Sequence, residues 1–213
     1  MNLPVYIIIP ILLVLTGLYV HFGSLWMDRL YEKRNDILTY PQAIEERKKY
    51  RKWILGLLFF GSELRLVMTM TEPVGGLLLL ATALLLLMTF TDFEQYCLFD
   101  EMMLPFAIGG LLWCLLSPDT ALNHGLAALA GGGIFFLLAV LSGGALGGGD
   151  VKLVAALGLW LGTEHLLSVV CLGMVFGGVV AGILLLLKKK KRKSAFAYGP
   201  YFTLTTVALF LLK

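Results

Sequence analysis

Charge is scarce in this chain. Asp, Glu, Lys and Arg together make up 15% of its 213 residues, against roughly 25% in a soluble globular domain. Cysteine is scarcer still: Cys97, Cys114 and Cys171 are the only three. They form no C-x-x-C pair, which excludes a readable disulfide framework or zinc ribbon, and they read as small apolar side chains. His21, His124 and His165 are equally scattered, with no two at the spacing of metal ligands. No metal and no other cofactor is expected. Hydrocarbon fills the chain instead, with 59% hydrophobic residues and a mean hydropathy of +0.86. That composition predicts an all-α, polytopic integral membrane protein.

At about 20 apolar residues per crossing, about eight transmembrane helices are predicted, at 4–26, 53–70, 73–91, 102–118, 120–141, 151–163, 165–187 and 198–212. The sixth is short. The second carries Glu63 and Arg65, which read as polar contacts within or between helices. The first run lacks a basic start and continues into Trp26 without a small-residue cleavage site, so it is expected to be a retained span and not a signal peptide. Of the 17 Lys and Arg residues, eight lie between Arg29 and Lys52 and six in the run 188–193. With eight spans both groups fall on one side, the cytoplasmic side by the positive-inside rule, and both termini fall outside. The loops 92–101 and 142–150 share the cytoplasmic side, so Asp92 and Asp150 are expected to face one compartment at the inner membrane surface. The run 188–193 reads as a topology anchor touching anionic headgroups of the lipid bilayer, with no nucleic acid partner implied. Loop 27–52 mixes acids and bases around Pro41 and reads as a solvated loop or amphipathic hairpin, too small for a separate domain.

Ionisable groups against long apolar runs are functional candidates in a membrane protein. Asp92 ends the run Leu84–Thr91, and Asp150 follows the glycine turn Gly147-Gly148-Gly149. Each acid also has a structural reading: Asp92 as a helix end in the headgroup layer, Asp100 as N-cap of the fourth span, and Asp150 as N-cap of the sixth. Two acids on one face, one beside a glycine hinge, favour catalysis. Two carboxylates in a partly desolvated site do not both ionise cheaply, so one can take a proton from water while the other donates to a carbonyl oxygen. Gly147 and Gly149 would let a substrate backbone approach closely. Lys152 either biases Asp150 toward its ionised form or snorkels to the headgroups, the preferred reading.

These residues resemble the type IV prepilin peptidases among the GxGD intramembrane aspartic proteases. The family's G-x-G-D-x-K-L stretch is matched by Gly147-Gly148-Gly149-Asp150-Val151-Lys152-Leu153, and its D-x-D-x-x-x-L-P-D-x-x-x-L-P stretch by Asp92, Leu98, Asp100, Leu104 and Pro105 in register. Ala197-Tyr198-Gly199-Pro200-Tyr201 approaches a P-F-G-P-Y pattern near the last helix. The resemblance covers roughly residues 75–212. It implies a catalytic membrane domain at 73–213 behind an N-terminal membrane region at 1–72, with Asp92 and Asp150 as the catalytic pair. It also implies prepilin or pseudopilin substrates, cleaved after the glycine that ends a short basic leader, at the cytoplasmic face of the plasma membrane of a bacterium. Glu94, Asp100 and Glu101 are then expected to attract the leader's cations, with Gly199 and Pro200 supporting the site.

Departures accompany the match. Glu94 stands where the family often has aspartate, and Phe99 where it has proline. Many bacterial members carry an insertion with two zinc-binding C-x-x-C pairs, associated with N-methylation of the product; here loop 27–52 holds no cysteine, the mark of a short form. The resemblance therefore implies cleavage, whereas the cysteines associated with methyl transfer are absent. A presenilin-like or signal-peptide-peptidase-like protease would show Y-D and P-A-L motifs; Thr91 precedes Asp92, and Gly199-Pro200-Tyr201 stands near the last span. A small transporter could also place acids and glycine breaks in a membrane, but the acids gather at one face and no internal repeat is evident.

Overall fold

The computed structural model describes residues 5–69, 74–143, 146–187 and 196–212. Among these residues there is no strand, and eight α-helices follow one another: α1 (Val5–Lys33), α2 (Ile44–Arg47), α3 (Arg51–Thr69), α4 (Val74–Gln95), α5 (Asp100–Leu116), α6 (Pro118–Leu141), α7 (Gly148–Leu186) and α8 (Gly199–Leu212). The basic run 188–193 and the expected span ends at 4, 70 and 73 lie outside the described residues.

Helix is the conformation in which an apolar segment satisfies its own backbone hydrogen bonds away from water, and the leucine runs of α4 and α7 have no alternative partner. Tyr6–Lys33, Gly75–Gln95, Pro118–Leu141 and Gly148–Leu186 are each long and apolar enough to cross a bilayer unaided. Helices α3, α5 and α8 are shorter, at 19, 17 and 14 residues. Leu57, Leu122, Leu129 and Leu141 point outward, Leu141 at 82% exposure. A surface of that kind suits a lipid surround.

Helix α7 decides the architecture. Its 39 residues would measure roughly 58 Å if straight, about twice a hydrocarbon core. It is not straight. Gly162 adopts φ 70°, ψ −179°, a backbone state that side-chain-bearing residues rarely enter. A methyl group on Gly131 of α6 would lie 2.7 Å from Leu166 Cδ2 and 3.2 Å from Val154 Cγ1, although a straight helix would hold those two residues roughly 18 Å apart. The chain therefore doubles back at Gly162 into limbs 148–161 and 163–186. These limbs are the sixth and seventh predicted spans, with the break placed within two residues. Together with α1, α3, α4, α5, α6 and α8, they account for the expected eight.

Small residues let these helices meet. A Cβ on Gly158 would lie 2.4 Å from Ala128 N, so α6 and the first limb of α7 touch backbone to backbone, as membrane helices do where packing drives association. Trp160 fills the space beside α5, its Nε1 donating to Phe106 O at 2.9 Å. At the other end of the chain, Tyr19 stacks on Phe59 with centroids 3.9 Å apart and donates to Ala83 O at 2.8 Å, which seats α1 and α3 on α4. Glu63 and Arg65 make interhelical contacts, as the sequence suggested: Thr16 Oγ1 donates to Glu63 Oε2 at 2.9 Å, and Arg65 Nε donates to Leu211 O at 3.0 Å.

Loop 27–52 departs from its expected form. Helix α1 continues to Lys33, and the rest of the loop folds inward, leaving Arg51 3% exposed. Its burial follows from carboxylate partners that only the folded chain supplies.

Gly158→Ala is expected to destabilise the protein by about 1–3 kcal/mol, the usual cost of overpacking a tight interface. Gly178→Ala, where nothing lies within 4 Å of the added methyl, should leave the thermal midpoint in detergent unchanged. Parallel unfolding curves of the two variants check this.

Candidate active site

Asp92 lies in the last turn of α4 and is 6% exposed. The helix closes just beyond it, where Tyr96 takes a left-handed backbone (φ 54°) and its N–H donates to Asp92 O at 2.9 Å. Asp92 Oδ2 is buried and has no hydrogen-bond partner among the described residues. Asp150 stands in the first turn of α7, half-buried, with its N–H donating to Gly147 O at 3.1 Å. The N-cap of α7 is Gly147 and that of α5 is Phe99. Neither Asp150 nor Asp100 is the cap that a purely structural reading of these acids would require.

Leu98 meets the backbone beside each of the two carboxylates. A methyl group on Gly149 would lie 3.1 Å from Leu98 Cβ, and one on Gly199 would lie 3.5 Å from Leu98 Cδ1 and 2.5 Å from Asp92 Oδ2. The backbone that carries Asp150 and the backbone that faces Asp92 thus both pack against the side chain of one leucine. A Cβ on Gly147 would sit 3.3 Å from Asp150 Oδ2. Pro200 is buried at the second residue of α8, where its missing N–H costs no helical hydrogen bond. One turn away from Asp92, the hydroxyls of Thr89 and Thr203 bond at 2.7 Å and pin α4 to α8. Asp92, Asp150, Gly147, Gly149, Gly199 and Pro200 therefore gather at one end of the bundle.

The other acids do not join them as free charges. Glu94, expected to face a substrate, is 2% exposed, accepts from Arg51 Nε at 2.8 Å and Nη2 at 2.5 Å, and takes a third bond from Tyr31 Oη at 2.9 Å. Asp100 accepts from Lys152 Nζ at 2.7 and 2.9 Å, so Lys152 neither pairs with Asp150 nor only reaches for headgroups. Glu101 accepts from Arg34 Nη2 at 3.2 Å and lies 3.7 Å from Lys33. The cation that answers Glu94 is the first residue of α3, and those that answer Glu101 come from the end of α1 and the residue after it. This arrangement corrects the expectation of an open acidic surface at 92–101: every acid there except Asp92 has an in-chain cationic partner. Arg51 and Tyr31 were not singled out in the sequence, because a buried arginine among eight loop cations carries no local mark.

Residues 79–182, which include Asp92 and Asp150, match the profile of the type IV leader peptidase family. They form a type IV leader peptidase family domain. A prepilin leader peptidase/N-methyltransferase of Aeromonas salmonicida (strain A449) is 34% identical over 141 residues, which cover 63% of this chain and 48% of that protein. Those of Neisseria gonorrhoeae and Klebsiella pneumoniae are 36% identical over 142 residues and 38% identical over 98 residues, covering 64% and 43% of this chain and 48% and 42% of theirs. The chain thus spans about half the length of the curated relatives it matches. No solved structure matches it. Gly199 and Pro200 lie beyond the family segment, and contact geometry is what ties them to its aspartates.

Cys97 sits in the short turn between the family domain's α4 and α5. Burial first, and the nearby charge of Asp92 second, push its thiol up to about 11. Its thiolate fraction at pH 7.5 should be roughly a hundredfold below that of an ordinary thiol. Maleimide labelling of folded protein, followed by mass spectrometry, should show correspondingly slow modification of Cys97, accelerated in Asp92→Asn.

Proposed function

We propose that this chain is a membrane-embedded aspartic endopeptidase that removes the short basic leader from type IV prepilins or pseudopilins at the cytoplasmic face of the bacterial inner membrane. Asp92 and Asp150 are its catalytic pair, and residues 73–213 are its catalytic region. The observation that carries this reading is the convergence of two carboxylates near Leu98, neither with a cationic partner among the described residues, inside a segment matching a leader peptidase family.

The chemistry follows from the pair. Two carboxylates in a poorly solvated site hold one proton between them at neutral pH. The ionised member takes a proton from water as its oxygen attacks the scissile carbonyl carbon, and the protonated member donates to the carbonyl oxygen. When the tetrahedral adduct collapses, the C–N bond breaks and the leaving amine receives a proton from the carboxyl that had gained one. The other carboxylate takes a hydroxyl proton from the gem-diol, which leaves a carboxylic acid product and the pair again holding one proton. Gly149 and Gly199 let the starts of α7 and α8 close on Leu98 and Asp92, and the open space at Gly148 leaves room for an extended peptide beside Asp150. Basic leader residues approach a face whose acids at 94, 100 and 101 are already paired, so recognition falls on the peptide backbone and the apolar segment more than on those acids. The proposal is limited to cleavage, because loop 27–52 offers no cysteine pair.

Detergent-solubilised protein with a tagged prepilin tests this. Asp92→Asn and Asp150→Asn should each lower kcat by roughly 10²–10⁴ while remaining folded, and the wild-type product should have the mass of the mature pilin without an added methyl. Full activity in either variant removes that residue from the mechanism. Gly199→Ala, whose methyl would press on Asp92 Oδ2, should lose about 10² in kcat, since displacement of a reacting group by about 1 Å costs that much.

A further inference from the structure

The three residues that follow Asp92 are each held by the loop between α1 and α3. Phe93 O accepts from Arg47 Nη2 at 2.8 Å. Glu94 accepts the bidentate guanidinium of Arg51. Gln95 O accepts from Thr39 N at 3.3 Å, and Gln95 Oε1 accepts from Tyr40 N at 3.0 Å. Arg47 also lies over the Tyr40 ring, 4.2 Å from its centroid, and Tyr40 meets Tyr96 edge to face at 5.2 Å. Arg51 reaches further, donating from Nη1 to Asp28 Oδ1 at 2.7 Å, so α1, α3 and α4 are joined through one side chain. The side chains of Arg51 and Glu94 are each 2% exposed.

We propose that loop 34–51 is a brace on the end of α4 and that Arg51 is a positioning residue for Asp92. The inference rests on the reading of Asp92 as catalytic. A helix's last turn frays unless its final carbonyls and side chains are tied down, and Asp92 lies in that turn. Among the described residues its Oδ2 has no hydrogen-bond partner. The Thr89–Thr203 contact fixes α4 one turn earlier, and the brace fixes the residues just after, so the carboxylate is located between two anchors. A planar fork bonded to both oxygens of Glu94 defines an orientation, which a point charge does not.

The test compares wild type, Arg51→Leu, Arg51→Lys, Arg51→Leu/Glu94→Leu and Asp92→Asn in the full chain. It records kcat and KM for a tagged prepilin, thermal midpoint, and amide hydrogen exchange over residues 88–96. The double variant removes both buried charges, and replacing such a pair by apolar residues generally preserves stability, so it guards against misfolding of Arg51→Leu. The expected result is a kcat about 10² lower in the double variant, with KM within about twofold and the midpoint near wild type. Exchange at 88–96 should quicken, and Arg51→Lys should recover part of kcat. A double variant with wild-type kcat and wild-type exchange overturns the brace, as does a kcat loss that merely tracks the midpoint across the series. If Asp92→Asn is inactive while the Arg51 variants are unaffected, the brace alone fails; an active Asp92→Asn removes the reading beneath it.

Discussion

The reversal at Gly162 is the constraint on which the rest of the molecule depends. One residue with a positive φ turns a helix far too long for a bilayer into two antiparallel limbs, and the second limb carries the chain back toward the face from which the first began. Helix α8 then starts beside Asp92, because Gly199 has been delivered to that end of the bundle. Without the reversal, Gly199 and Pro200 would begin α8 at the opposite face, and the Thr89–Thr203 bond could not form. A single backbone state therefore sets which three helix ends meet: the last turn of α4 and the first turns of α7 and α8.

Around that meeting point, charge is arranged by subtraction. The end of α4 and the turn after it carry more acid than a membrane surface rich in lysine and arginine would suggest, and the fold answers each surplus acid with a cation from a different element. Glu94 takes one from α3, Glu101 from the end of α1 and the residue beyond it, and Asp100 from α7. Asp92 and Asp150 have no such partner among the described residues. Burial strengthens both effects, since an ion pair and an unpaired acid each matter more away from water.

Much of this was legible in the sequence, and the boundary has a physical cause. Apolar run length read out the spans, because a bilayer imposes that length, and even the split within α7 was anticipated by the boundary between the spans 151–163 and 165–187. The Asp92 and Asp150 motifs, with Gly199 and Pro200, were legible because small residues and isolated acids stand out against leucine. Glu94 was misjudged as an exposed recruiter, and Arg51 was overlooked, for one reason. Whether a charge is open or paired depends on a partner distant in the sequence, here Arg51 for Glu94 and Lys152 for Asp100, and hydropathy carries no record of such pairs. Lys152 illustrates the same point from the other side: its neighbour in sequence is Asp150, yet its partner in space is Asp100.

The connections between the described helices differ in length. Ser117 alone joins α5 to α6, and Gly162 alone joins the limbs of α7, both at the end remote from Asp92. The segments 34–50 and 96–99 lie at the aspartate end. Insertions and proteolytic nicks are accepted where exposed backbone can bulge without breaking helix. Each of these two junctions is a single residue, so neither offers slack in which the chain could lengthen by insertion without disturbing a helix end.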